Sequence, residues 1–474
     1  MHDLLVKSLE QHQKDVEQVV AQLKSYTNSG SKEKLIFTHV GSHSTREKSR
    51  HTFNNIDISQ LNHIISIDVQ KKEALTEPSV SMGQLVAETL KHNLLPEVIM
   101  EFPGITVGGA IEGAALESSS FKYGQFNDCC IEYEIATSTG QIIKANRTKN
   151  SDLFYGKTGS YGSLGLLTAV RLRLVRAHKS ILLKYFPVRG PDEAVKLLEK
   201  LVSWGGYDYL DGIVFSRNMA IVMAGKRVDE INGELQRFSG SSDPWFYKHA
   251  EDIAKKGLVF EESVPIVDYL FRYDRGAYWM GQYFMDYVGG YNLISRIIFD
   301  SSLHTEQMYE ALHLGNLSQS FFIQDFYLPI ETASEFINYT IDKMEIFPIW
   351  LCPMKPTLKP EKLSPHYNKA KLMINVGFYG RSEKFAQDYY ASNRNAEKML
   401  NKLHGRKMLY AHQYYPKDEF WEIYDKKWYN KLRKKYHADK ILSDVYERTH
   451  VSEKYEAQPI RGAIKFYIKK IFGK

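Results

Sequence analysis

Cysteine is nearly absent: three residues in 474, two of them adjacent, at 129, 130 and 352. A disulfide-stapled fold is excluded, and a reducing compartment is expected. No run of about 18 uncharged apolar residues occurs, so no membrane-spanning helix is predicted. Residues 1–24 mix His, Asp, Lys and Glu with scattered Leu and Val and lack the apolar stretch of a signal peptide. Without secretion, the sequons at Asn146, Asn316 and Asn338 carry no expectation of glycosylation. An excess of one charge is also missing. With 62 Lys+Arg against 56 Asp+Glu the net charge is only +6, which does not point to nucleic acid. Neither HExxH nor a paired CxxC occurs, so no metal site is expected.

What is plentiful is aromatic: 31 Tyr and 24 Phe help bring the aromatic share to 13%, which suits either a roomy apolar pocket or a Tyr-rich core. Hydrophobic residues at 43% and charged residues at 25% fit a globular chain of two or three domains. Val16, Val19, Val20 and Leu23 have helical spacing and predict a helix over 3–25. Leu35 to Val40 reads as a strand and 81–93 as a capped helix. Ile131, Tyr133, Ile135 and Thr137 alternate with polar neighbours before a Ser-Thr-Gly turn, and 141–145 returns, which reads as a hairpin. Leu166 to Val175 is a half-buried strand. Glycines thin out beyond 180, where the main boundary is placed. Helices are predicted over 191–204, 331–343, 383–403 and 417–436, and strands over 372–379 and 408–415.

Dinucleotide cofactors need backbone N–H groups aimed at a diphosphate, and glycines allow that approach. Gly-x-Gly-x-x-Gly is absent. Gly156-Lys157-Thr158 is similar to the end of a P-loop, but the first glycine that motif requires falls at Ser151. Four segments remain: Pro103-Gly104-Ile105-Thr106-Val107-Gly108-Gly109, Glu117-Ser118-Ser119-Ser120-Phe121-Lys122-Tyr123-Gly124, Ser151-Asp152-Leu153-Phe154-Tyr155 and Gly162-Ser163-Leu164-Gly165. In this order and spacing they resemble the FAD domain of the vanillyl-alcohol oxidase superfamily (PCMH type) and, within it, the delta-24 sterol reductase group. Weaker likeness continues through Gln324-Asp325, the segment 348–353 and the stretch from Tyr414 to Tyr429.

The resemblance implies an α+β protein: a PCMH-type FAD-binding domain of two α/β subdomains over 1–180, an α+β cap or substrate domain over 181–455, part of whose end returns to the FAD domain, and a tail over 456–474. It implies FAD contacts at Pro103, Gly104, Thr106, Val107, Gly108, Gly109, Ser118, Ser119, Tyr123, Gly124, Gly162 and Gly165. Gly41-Ser42-His43-Ser44 resembles the segment by which some oxidases of the superfamily attach FAD covalently. Gly41 and His43 are therefore candidate contacts, a plain loop histidine being the other reading. The group's pattern has histidine directly before Lys-Tyr-Gly, where this chain has Phe121.

The implied function is reduction of a carbon–carbon double bond in a sterol or isoprenoid side chain, with NADPH or NADH as reductant and FAD held non-covalently. Tyr123, Lys122 and Glu117, or a Tyr or His of the cap, are candidate proton donors. The alternatives are an oxidase or dehydrogenase of an alcohol, sugar or hydroxy acid on the same fold, and a flavin-binding or membrane-associated protein without catalysis. In the tail, Ile460, Ile464, Tyr467, Ile468, Ile471 and Phe472 share one helical face. Five basic residues and no acid accompany them over 460–474. That pattern suits peripheral contact with an anionic bilayer by a cytoplasmic protein, or a helix docked on the body.

Overall fold

Alternating residues in the first half of the chain build an antiparallel sheet, seen in a computed structural model that describes residues 9–39, 44–46, 54–231, 233–451 and 457. Cys130–Ala136 pairs with Ile142–Asn146 across the expected turn and, on its other side, with Leu166–Arg176. Glu73–Thr76 and Ile64–Asp68 extend the sheet beyond that long strand, and Leu94–Pro96 pairs with its far end. Tyr133, Ile135, Val170 and Leu172 turn inward onto Val107, Ala110, Ile111 and Phe126. The expected capped helix is Met82–Leu90, with a reciprocal capping box between Ser81 and Gln84.

The opening helix, Leu9–Asn28, lays Val16, Val19 and Leu23 against a parallel strand pair, Leu35–Thr38 and Asn54–Asp57. His12 locks this layer to the larger sheet. Its Nδ1 lies 2.7 Å from Glu77 and its Nε2 3.5 Å from Glu134. Burial alone lowers an imidazole pKa, but the two carboxylates outweigh it and raise His12 to about 9.

The second half forms an eight-stranded antiparallel sheet in the order Phe260–Pro265, Ser180–Val188, Met219–Val228, Tyr209–Ser216, Ile349–Met354, Met373–Gly380, Phe322–Pro329, Arg406–Lys407. Its period of two sorts the side chains. Phe322, Phe326, Ile374, Val376, Phe378 and Leu351 face the helices Gly190–Trp204, Ile330–Met344 and Tyr389–Lys402. Ile323, Tyr327, Trp350, Cys352 and Tyr379 join an aromatic cluster on the opposite face. The chain then returns to the first sheet, where Tyr415, Phe420, Tyr429, Leu432 and Val445 share its core.

Three expectations are corrected. The helix over 383–403 divides at Asp388, which leaves helical geometry and caps Tyr389–Lys402 by accepting the Ala391 N–H at 2.9 Å. That over 417–436 divides at Asp425, which accepts the Trp428 N–H at 2.8 Å. Residues 408–415 form no strand. Past Lys407, the His412 carbonyl accepts from the side chains of Gln324 and Lys407, and the Tyr410 carbonyl from Ser44 and Arg46, in place of a ladder. The glycine segment after Pro103 is a short helix, Val107–Glu112, capped by Thr106. The basic tail lies outside the described residues, apart from Ala457. Among the described residues no helix is long and apolar enough to cross a membrane.

The two halves meet at Arg272, whose side chain has no exposed surface. Its Nη2 donates to Glu117 and to Asp211, each at 2.9 Å, and its Nη1 to the Tyr269 carbonyl at 3.0 Å. The Tyr273 hydroxyl and the Trp350 indole N–H also donate to Asp211, at 2.7 and 3.2 Å. Arg272→Met leaves two buried carboxylates uncompensated and is expected to destabilise the fold by about 3–5 kcal/mol, read from a urea titration. A folded-state pKa raised above its unfolded value contributes stability that is fully present below the unfolded pKa. For His12 that contribution is complete below pH 6.5 and lost as pH rises through about 9. His12→Gln is expected to flatten the loss of urea midpoint over that interval.

Candidate active site

Between the two sheets lies a cavity of about 1410 Å³. That exceeds the roughly 300–1,000 Å³ of a pocket for one small ligand. One group of lining residues comes from the strand pair and its neighbours: Phe37, Thr38, Asn55, Pro78 and Ser79. A second comprises Thr106, Gly108, Gly109, Glu112, Gly162 and Arg448. The third is aromatic and acidic, with Glu101, Tyr278, Tyr309, Asp325, Trp350 and Tyr379.

The glycines of the second group have distinct physical reasons. The Gly108 N–H donates to the Pro78 carbonyl at 2.7 Å, and a Cβ on Gly108 would lie 2.9 Å from the Pro78 Cβ. Any side chain there forces the two segments apart. The neighbouring amides are also taken: Val107 N–H by the Val80 carbonyl at 2.8 Å and Gly109 N–H by the Thr106 hydroxyl at 3.1 Å. The fold thus uses these N–H groups to bind its own segments. Gly162 has φ +78, and a Cβ there would come 3.3 Å from Arg448 Nη1 and 3.4 Å from a Glu112 carboxylate oxygen.

Of the residues named from the sequence, Thr106, Gly108, Gly109 and Gly162 line the cavity. The others do not. Val107 is in the core beneath it. Pro103 and Gly104 precede the short helix, and the Pro103 carbonyl accepts the Gly83 N–H at 2.9 Å. Ser118 and Ser119 are buried, their hydroxyls bonded to Glu117 and to the Glu97 carbonyl respectively. Gly124 at φ +89 lies against Asp128, and Gly165 at φ +108 against the Ala136 carbonyl. Gly41 and His43 lie outside the described residues. Of the proposed proton donors, Lys122 reaches outward to Asp208 at 2.9 Å, with its ammonium over the Tyr123 ring. Glu117 is tied down by Arg272 and Ser118, and its pKa is raised, chiefly by burial.

Sequence reasoning missed most of the third group. Asp325 faces the cavity from the centre of Phe322–Pro329 and accepts from Asn375 at 2.6 Å, Tyr410 at 2.7 Å and Tyr379 at 2.8 Å. Burial nonetheless raises its pKa. A Gln-Asp pair inside an otherwise apolar strand was a readable signal. Glu101 is pushed up to about 8, first by burial and then by the charge of Glu117. Tyr278 follows Gly276 and Ala277 through three consecutive positive φ values, +83, +44 and +61. For two residues with side chains such geometry is strained and persists where the surroundings enforce it. Its buried hydroxyl has no partner among the described residues. Nothing local in the sequence marks it.

The fold also gathers Asp128, Glu361 and His366, whose ligand atoms lie within 4.8 Å of one another. No sequence motif announces this group, because Asp128 lies far along the chain from Glu361 and His366. Protein groups engage each member: His366 meets Glu361 at 2.9 Å and the Lys355 carbonyl at 3.1 Å, and Lys359 reaches Asp128 at 3.3 Å.

The profile of the FAD binding domain family matches residues 12–146. Delta(24)-sterol reductase of Mus musculus is 30% identical over 446 residues, spanning 92% of this chain and 86% of that protein. Delta(24)-sterol reductase of Arabidopsis thaliana is 29% identical over 502 residues, spanning 95% and 87%. A shorter likeness, 33% over 136 residues and 28% of this chain, is to cytokinin dehydrogenase 7 of Oryza sativa subsp. japonica.

The residues present fit FAD. Arg448 Nη1 is buried in the second group with no partner among the described residues, and burial lowers the Arg448 pKa. A guanidinium so placed calls for an anion, which a diphosphate would supply beside the side-chain-free Gly162. Arg448→Gln is expected to weaken FAD binding about 10- to 100-fold, the loss of a hydrogen bond to a charged group. Flavin fluorescence released on dilution measures it.

Proposed function

This chain belongs to the delta(24)-sterol reductase family, and we propose that it is an FAD-dependent oxidoreductase reducing a double bond in a sterol side chain, with NADPH or NADH as electron donor. One observation carries the reading: a cavity too large for one ligand, with a cationic, glycine-bearing group of residues and a separate aromatic one. Bound FAD supplies hydride chemistry. The first sheet, with the segment returning to it beyond 415, holds the cofactor, and the eight-stranded sheet caps it.

The chain's own residues handle the substrate. Trp350 and Tyr379 lie 5.4 and 4.8 Å from Tyr278 by ring centroids, and the three form an aromatic wall. Such faces exclude water and favour the positive character that develops on a protonated alkene carbon. Phe121 is against the cluster beneath the eight-stranded sheet and away from the cavity, so its difference from the group's histidine does not reach the substrate. That placement favours catalysis over the inactive reading. The predominance of aromatic over charged side chains favours a sterol over a sugar or hydroxy acid.

Substrate of this kind resides in a bilayer, and the exterior supports peripheral contact there. Met280, Tyr283, Phe284 and Tyr287 line the cavity. Beside them Tyr287 is 89% exposed, Ile294 70% and Ile298 63%. These side chains, with the basic tail, would bring the cavity to a membrane surface on the cytoplasmic side. Ile294→Glu with Ile298→Glu is expected to reduce flotation with anionic liposomes at least severalfold; unchanged flotation removes this surface from the reading. For the reaction, the purified yellow protein should bleach anaerobically with NADPH. Adding a sterol with a side-chain double bond should restore the colour, and the sterol should gain two hydrogens. Oxidised flavin that an alcohol or sugar bleaches, or reduced flavin that no sterol alkene reoxidises, counts against the proposal.

A further inference from the structure

Three carboxylates line the cavity, those of Glu101, Glu112 and Asp325, and their surroundings differ in what each can do with a proton. Glu112 is paired with the buried ammonium of Lys157. Asp325 accepts from Asn375, Tyr379 and Tyr410, and these three donors favour its charged form. Glu101 has no side-chain partner among the described residues, and its carboxyl opens into the aromatic group of the lining. Phe102, the next residue, is fixed edge-on to Tyr278 and Tyr309, with ring centroids at 5.6 and 6.5 Å. The backbone of Glu101 is thereby anchored to the wall that the substrate would touch.

We propose that Glu101 is the general acid of the reduction, its carboxyl O–H breaking as the proton passes to one carbon of the alkene. Hydride supplied by the reduced cofactor goes to the other carbon, the carbon–carbon π bond is consumed, and the Glu101 carboxylate takes a fresh proton from water. This rests on the reductase reading above and adds the residue that reading leaves unnamed.

The surroundings keep Glu101 protonated at neutral pH. Burial disfavours its charge and Glu117 and Asp325 repel it, which together outweigh its own backbone N–H and Arg272, the latter already shared between two carboxylates. Tyr278, Tyr309, Tyr379 and Tyr410 face the same region, and burial pushes all four phenols up, so none brings a compensating charge. A neutral carboxyl donates; its conjugate base does not. The donor is therefore lost as pH rises through about 8.

The test uses FAD-loaded full-length protein and separates the half-reactions. Glu101→Gln should retain FAD and be bleached by NADPH at the wild-type rate. Reoxidation of its reduced flavin by a sterol alkene should slow about 100-fold or more, the usual worth of a positioned acid. The wild-type reoxidation rate should fall above pH 8, and the residual rate of Glu101→Gln should not. Glu101→Asp should recover part of the rate. Reoxidation of Glu101→Gln within about threefold of wild type, or an unchanged alkaline fall in that variant, overturns the assignment. Wild-type flavin that no sterol alkene reoxidises instead overturns the reductase reading beneath it.

Discussion

Arg272 carries one positive charge between two carboxylates, and it does so with no access to water. Glu117 belongs to the motif segment of the first half, Asp211 to a strand of the second, so the guanidinium ties the two halves together. Backbone bonds reinforce the tie: Leu210 N–H donates to the Ser118 carbonyl at 2.8 Å and Lys355 N–H to that of Ser120 at 3.1 Å. Such a cluster is costly to desolvate and costlier to break. Glu117 also adds to burial in raising the Glu101 pKa, so the same cluster serves both the joint between the two halves and the electrostatics of the site.

The aromatic richness divides between two tasks. Phe322, Phe326, Phe336 and Phe378 pack beneath the sheet, where a plain apolar core is needed. The tyrosines and tryptophans concentrate on the opposite face, where a hydroxyl or indole N–H can reach Asp211 or Asp325. That sorting follows from the strand period: residues two apart share a face, so one strand serves core and cavity in alternation.

Features set by local periodicity and capping were legible in the sequence. The hairpin around 138–140, the long strand from Leu166 and the Ser81 cap each depend on neighbours within a few residues. The motif glycines marked the right region, although Gly124 and Gly165 answer to contacts inside the protein and not to a ligand. Helix breaks at Asp388 and Asp425 were hidden because helical spacing continues on both sides, and only the capping bonds reveal the interruption. The site was the least legible. Glu101, Tyr278, Asp325 and Arg448 come from four distant segments, and their chemistry arises from burial and convergence, which no local pattern encodes.

The chain crosses between the two sheets near 177–179, where one long strand leads almost directly into the next, and again over 408–415, where side chains hold the His412 and Tyr410 carbonyls. A sheet attached at both its entrance and its exit is not a cassette. Replacing it with a relative's to change substrate preference requires two junctions, and the second cuts through contacts that belong jointly to both halves. Substrate range in this architecture is better altered by exchanging side chains on the inner face of the eight-stranded sheet than by exchanging domains.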